Sequence, residues 1–152
     1  LVNLLITKLI KNYIHMKRYF WIFGLIIIFV SCQNKDKEFK DHYIEGLKKL
    51  EISDFKGALV EFETCIKLKP ENPESYYYRG SIKSNLKDSQ GAIADFTKAI
   101  ELNPNYADAY WNRGLEYDFL GKKDEKCKDF HQAYDLGKTN IENRMKECRD
   151  YR

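Results

Sequence analysis

The sequence predicts an all-α protein of three tandem helical hairpins closed by a C-terminal helix. Gly46, Gly80 and Gly114 recur at a step of 34 residues, and Phe62, Phe96 and Phe130 keep the same step. Ala58 with Ala92, and Pro70 with Pro104, follow it too. A fixed period of this size marks stacked structural repeats, each unable to bury its apolar face alone. Within each block, apolar residues recur at helical spacing in two separate stretches.

The blocks run over 39–72, 73–106 and 107–140, with a last segment at 141–152. The spacing predicts helices near 39–52 and 56–69, 73–86 and 90–103, and 107–120 and 124–136. Leu59, Phe62, Ile66 and Leu68 form an apolar stripe on one second helix, as do Ile93, Phe96, Ala99 and Ile100 on the next. The glycine in the first helix of each hairpin permits close approach of the second, where Ala58 and Ala92 are expected to meet it. Pro70 and Pro104 end their helices. Asn72-Pro73 supplies a cap followed by proline in the first turn, and Asn105 is expected to cap the next first helix. Gly137 ends the last second helix. Thr139-Asn140-Ile141-Glu142 fits a capping box. It would open a final helix whose Ile141 and Met145 cover the last open face.

The middle block reads Tyr76-x2-Arg79-Gly80-x2-Lys83, then Ala92-x3-Phe96, then Pro104. This order and period resemble the tetratricopeptide repeat, over residues 39–140. The resemblance implies that the hairpins stack into a short right-handed superhelix whose first helices line a concave groove. Carried over position by position, it implies groove residues Tyr43, Ile44 and Leu47, then Tyr77, Tyr78 and Ser81, then Trp111, Asn112 and Leu115. Tyrosine and tryptophan give large contact area with few torsions, which suits a binding surface. Arg79 with Asp95, and Arg113 with Asp129, stand where the family places ion pairs between helices. The first repeat has Glu45 and Glu61 there and lacks the pair.

The chain departs from the family pattern in places. His42, Glu45 and Lys49 replace large apolar residues, which predicts a polar outer face at the N-terminal edge. Lys126 and Lys138 replace the alanine and proline of the third repeat. Some family members clamp a terminal carboxylate of chaperone tails with Lys, Asn and Arg. The matching positions here hold Tyr43, Leu47, Tyr78, Asp108 and Asn112, with no cation. A groove edged by Glu74, Asp108 and Asp118 suits instead an apolar peptide carrying some positive charge.

The N-terminal residues read as an address. Tyr19 to Ser31 is an uncharged run of 13 residues. That is short of the ~20 a spanning helix needs and within the ~7–15 of a signal-peptide core. Lys17 and Arg18 precede it, and Met16 precedes them. Residues 16–31 are therefore expected to be a signal peptide, and 1–15 an upstream extension of the gene start or a longer leader. Phe29-Val30-Ser31-Cys32 resembles the lipobox of bacterial lipoproteins, which makes Cys32 the lipidated residue. The alternative is an ordinary signal peptide with an incidental cysteine. Residues 32–38 read as lipidated cysteine and polar tether. Gln33 is not the aspartate of inner-membrane retention, and the Lys/Asp/Glu mixture resembles tethers of Bacteroidetes lipoproteins. The expected location is the bacterial envelope, outer membrane over inner.

Composition narrows the function. Residues 1–31 hold four of the 26 basic residues and no acid, leaving 22 basic residues against 23 acidic ones. A near-neutral domain has no electrostatic footprint for nucleic acid. The 11 Tyr and 9 Phe partly fill the core of a small domain. His15, His42 and His131 lack metal-ligand spacing, and no CxxC, HExxH, P-loop or GxSxG occurs, so neither a cofactor, a metal nor an enzyme is expected. Cys65 stands where Ala99 and Ala133 do and reads as an inert core thiol. Cys127 and Cys148 flank the turn at Gly137-Lys138 at equal distance, so antiparallel helices would bring them level for a disulfide. The expected function is that of a lipid-anchored adaptor or assembly factor holding a protein or peptide partner in its groove. The alternative is a structural lipoprotein that organises a complex by its convex face or by self-association.

Overall fold

The computed structural model describes residues 34–139 and 141–148, with Glu142 by its backbone alone. Leu1–Glu38 and Phe39–Arg152 form separate compact units, and the repeats make up the second. The leader, Cys32 and residues 1–31 lie outside the described residues. Residues 34–38 are helical, where the sequence reads as an irregular tether. Lys35, Lys37 and Glu38 are good helix formers and offer no barrier to it.

The described residues are helical throughout. Helix α1 continues to residue 51. It is followed by α2 (Phe55–Leu68), α3 (Pro73–Asn85), α4 (Ser89–Leu102), α5 (Ala107–Phe119), α6 (Lys123–Asp135) and the single turn α7 (Glu142–Met145), which runs into a 3₁₀ turn at Lys146–Cys148. Helices α3 with α4, and α5 with α6, pair as hairpins. The three hairpins make the superhelical repeat stack. The last segment is shorter than the expected helix: one α turn and one 3₁₀ turn.

Capping residues place the boundaries. Asp54 and Asp88 cap α2 and α4, each accepting a hydrogen bond at 2.9 Å from the amide of Gly57 or Gly91. Both helices therefore begin one residue earlier than apolar periodicity suggests. Asn72 caps α3 by accepting from the Ser75 amide at 2.8 Å, with Pro73 behind it. Asn105 does not cap α5. Tyr106 occupies the cap position without a side-chain bond, and the Asn105 amide instead donates to Asn103 Oδ1 at 3.1 Å. Gly137 takes φ +89° after α6, and the amide of Lys138 donates back to Ala133 O at 3.0 Å. This is the left-handed helix stop that glycine permits. The capping box at Thr139–Glu142 rests on residue 140 and on the Glu142 side chain, outside the described residues.

The core is a repeating contact between glycine and phenylalanine. Phe62, Phe96 and Phe130 are fully buried. A Cβ on Gly46, Gly80 or Gly114 would lie 2.8, 2.9 or 2.6 Å from the ring of its own hairpin's phenylalanine. The ring, more than the expected alanine, fills the space the glycine leaves; the Ala92 carbonyl would lie farther, 3.3 Å from a Cβ on Gly80. Ala58, Ala92, Cys65, Ala99 and Ala133 pack beside the rings as buried small residues. Burial holds the Cys65 thiol up to about 11, so it stays a protonated core group. Gly80→Leu must push the Phe96 ring aside, and we expect a loss of about 1–3 kcal/mol or more. Thermal unfolding of the variant beside wild type checks it.

Candidate functional site

The first helices carry a continuous run of rings. Tyr43 meets Tyr78 edge-on with centroids 5.8 Å apart, and Tyr78 meets Tyr77 at 5.3 Å. Tyr77 then meets Tyr106 at 4.9 Å. These tilted and edge contacts are the favoured geometry for aromatic quadrupoles. The same rings reach the core below: Tyr78 stacks on Phe62 at 5.1 Å, and Trp111 stacks on Phe130 at 4.7 Å. Tyr43, Leu47 and Tyr78 pack on the Ala58–Phe62–Cys65–Ile82 cluster, and Trp111 and Leu115 pack on Cys127, Phe130 and Cys148. The expected groove residues are thus half-buried, and Tyr43, Leu47, Tyr77, Tyr78, Trp111 and Leu115 each touch the core. Ile44 is the exception, 52% exposed. Asn112 donates to Tyr77 Oη at 3.1 Å and so ties α5 to α3. Burial raises the Tyr43, Tyr77 and Tyr106 hydroxyls above their ordinary values, so all are neutral hydrogen-bonding groups. Tyr106 carries no signal in the sequence, because no other repeat has an aromatic at that position.

Between α3 and α5 lies a cavity of about 220 Å³, lined by Ser81, Ser84, Asn85, Asn112, Leu115 and Glu116 over Phe96. It brings together the expected groove positions Ser81, Asn112 and Leu115. Glu116 does not stand out in the sequence. Its repeat equivalents are Lys48 and the buried Ile82, so no periodicity marks it. The acids expected at the groove edge are occupied internally. Asp108 pairs with Lys138, Asp118 with Lys126 at 2.8 Å and Arg144 at 3.2 Å, and Glu74 accepts from Asn72 at 2.6 Å.

The inter-helix pairs are in place. Arg79 Nε donates to Asp95 at 2.8 Å, and Lys83 reaches the same carboxylate at 2.7 Å. Arg113 grips Asp129 through two bonds of 2.7 Å and also donates to Thr97 on α4 at 3.0 Å. The first repeat keeps this logic with other residues. His42 lies 2.7 Å from Glu61, and Lys49 also pairs with it. These bonds hold the Glu61 carboxyl below its ordinary value. His42 and Lys49 therefore face α2 and do not form the polar outer face the sequence suggests.

Cys127 and Cys148 are joined by a disulfide with Cα atoms 5.2 Å apart. The bridge reaches α6 from a short turn, not from the long antiparallel helix expected. Lys126, buried at the usual alanine position, donates to Asp118 and to Glu147 at 3.1 Å, and His131 Nε2 lies 3.0 Å from Cys148 O. Among the described residues, no group of three or more His, Cys, Asp or Glu could hold a metal ion, and no helix is long and apolar enough to cross a membrane.

Two family models, each described as tetratricopeptide repeat, match residues 73–106 and 107–139. The first repeat carries the same glycine–phenylalanine hairpin, and the chain is a tetratricopeptide-repeat protein. No curated protein matches the sequence. Among solved structures, it is similar to the first such domain of Spaghetti (RPAP3) bound to the HSP90 peptide SRMEEVD, at 25% identity and TM-score 0.70, over 75% of this chain and 92% of that one. The OM64 domain of Arabidopsis superposes with TM-score 0.72 at 22% identity, over 78% of this chain and 99% of that one. The yeast Sti1 TPR2B domain in its pHsp70 complex gives 0.68 at 23%, over 76% and 98%.

Reduction of the disulfide, or Cys148→Ser, should release residues 141–148 and cost about 2–4 kcal/mol. The check is a fall in melting temperature on adding dithiothreitol, with faster amide exchange in that segment alone.

Proposed function

We propose that the ring-lined face of the first helices holds an apolar, positively charged segment of a partner protein. The observation that carries this is the cavity between α3 and α5, which opens beside a run of rings with an unneutralised carboxylate in it. Similar domains are described with HSP90 or HSP70 peptides, which supports a peptide as occupant. An acidic tail is a poor fit here, because Tyr43, Leu47, Tyr78, Asp108 and Asn112 stand at the clamp positions and supply no cation. We further propose, from the order of Met16, Lys17-Arg18, apolar run and Cys32, a lipid-anchored protein of the bacterial envelope, similar to small Bacteroidetes lipoproteins. It would act there as an adaptor or assembly factor.

Crosslinking in native membranes separates this from the organising role by the opposite face. Ile44→Arg with Ser81→Arg charges and blocks the groove while sparing the Tyr77 and Trp111 packing. Val60→Arg charges α2 at a site that is 59% exposed. The groove variant should lose its crosslinked partner and the α2 variant should keep it; the reverse pattern favours the convex face. Palmitate labelling should mark the wild-type chain and spare Cys32→Ser.

A further inference from the structure

A carboxylate at a nine-tenths buried position needs a compensating partner, because desolvation penalises its charged form. Asp95 and Asp129, comparably buried, each have an arginine. Glu116 is 8% exposed and has none: no cation among the described residues pairs with it. Its bond is from the Ser84 hydroxyl, which donates to Oε1. In the repeat before, the same position is the fully buried Ile82. An apolar residue there would bury without this penalty, so packing alone does not account for the carboxylate.

The polar groups around Glu116 are largely bonded to the protein itself. Ser81 Oγ donates to Tyr77 O at 3.0 Å, and Asn85 Nδ2 donates to Ser81 O at 2.8 Å. Asn112 Nδ2 donates to Tyr77 Oη at 3.1 Å, and Ser84 donates to Glu116 itself. Each of these groups makes one hydrogen bond within the protein, and the Asn85 and Asn112 amides each keep a second N–H. The one charged group on the wall is the Glu116 carboxylate, set among polar side chains over the apolar floor of Phe96 and Leu115. Its volume of about 220 Å³ equals roughly seven waters at ~30 Å³ each, room for one long side chain. A cationic head on an aliphatic stem satisfies both surfaces: the head meets Glu116, the stem meets Phe96 and Leu115.

We infer that the Glu116 cavity is the subsite that reads a basic side chain, lysine or arginine, of the segment held in the groove. This rests on the peptide-holding function proposed above. The shared chemistry is an ammonium or guanidinium on a short alkyl chain, so n-butylammonium and n-propylguanidinium serve as probes and n-butanol as the neutral control. The ¹⁵N-labelled full chain, kept in detergent, is titrated with each. Both cations should shift the amides of Ser81, Ser84, Asn112 and Glu116 saturably, and butanol should not. Glu116→Gln keeps the size and the Ser84 contact but should weaken cation binding at least about tenfold, the loss expected for a charge-assisted bond. The wild-type contrast between cation and alcohol stands even if that variant folds poorly. Equal shifts with butanol, no shifts with either cation, or undiminished binding to Glu116→Gln overturns the subsite. If the groove variant loses its crosslinked partner while these amides ignore the cations, the groove stands and the subsite falls. Cation binding without partner loss retains the subsite and overturns the peptide groove.

Discussion

A glycine backbone pressed against a phenylalanine ring sets the distance between the two helices of every hairpin, and the other features depend on that distance. A methyl group at Gly46, Gly80 or Gly114 would meet the ring at under 3 Å, closer than carbon atoms tolerate. The ring in turn is fully buried, which makes it the largest apolar contribution of each second helix. Small residues of the second helices, Ala58, Ala92, Cys65, Ala99 and Ala133, are buried with it, and rings of the first helices stack on it. The contact repeats every 34 residues, so each repeat presents the same surface to the next.

The residue before each phenylalanine is an acid, Glu61, Asp95 or Asp129, and the short inter-helix distance brings it within reach of the first helix. Its partners differ: His42 and Lys49, Arg79 and Lys83, then Arg113 alone. Burial raises the Asp129 carboxyl above its ordinary value despite Arg113 beside it. Burial disfavours the Arg113 charge, but the same pairing raises the guanidinium above its ordinary value, so the arginine stays charged beside it. Two parallel bonds from a planar guanidinium fix the rotation of one helix against the other, and the third nitrogen of Arg113 extends this to Thr97 of the preceding repeat.

With the second helices occupied by core and ion pairs, the first helices keep a face of rings. Those rings serve two surfaces at once. Trp111 stacks on Phe130 and stays partly exposed, and Leu115 lines the cavity while packing on the disulfide cluster. The terminal turn is thereby coupled to α5: Cys148 and Met145 pack in one cluster with Trp111 and Leu115, and Arg144 pairs with Asp118. A rigid scaffold behind half-exposed aromatics is the arrangement that lowers the entropic cost of binding.

The sequence by itself determined the period, the glycine–phenylalanine positions and the level placement of Cys127 and Cys148, while the Arg–Asp pairs were implied by the resemblance to the repeat family. The first three follow from a spacing fixed along the chain, and a spacing is written in the order of residues. Tertiary structure decided what spacing does not encode. Asn105 is no cap, because its amide turns to Asn103. His42 and Lys49 lean across to α2, because Glu61 pairs with both. Asp108 and Asp118 are neutralised by lysines and an arginine 8 to 30 residues away, whereas Glu116, unremarkable in sequence, is left without a cation in a cavity. Charge balance at a site is a sum over neighbours in space, and those neighbours come from separate helices whose contacts only the packed fold defines.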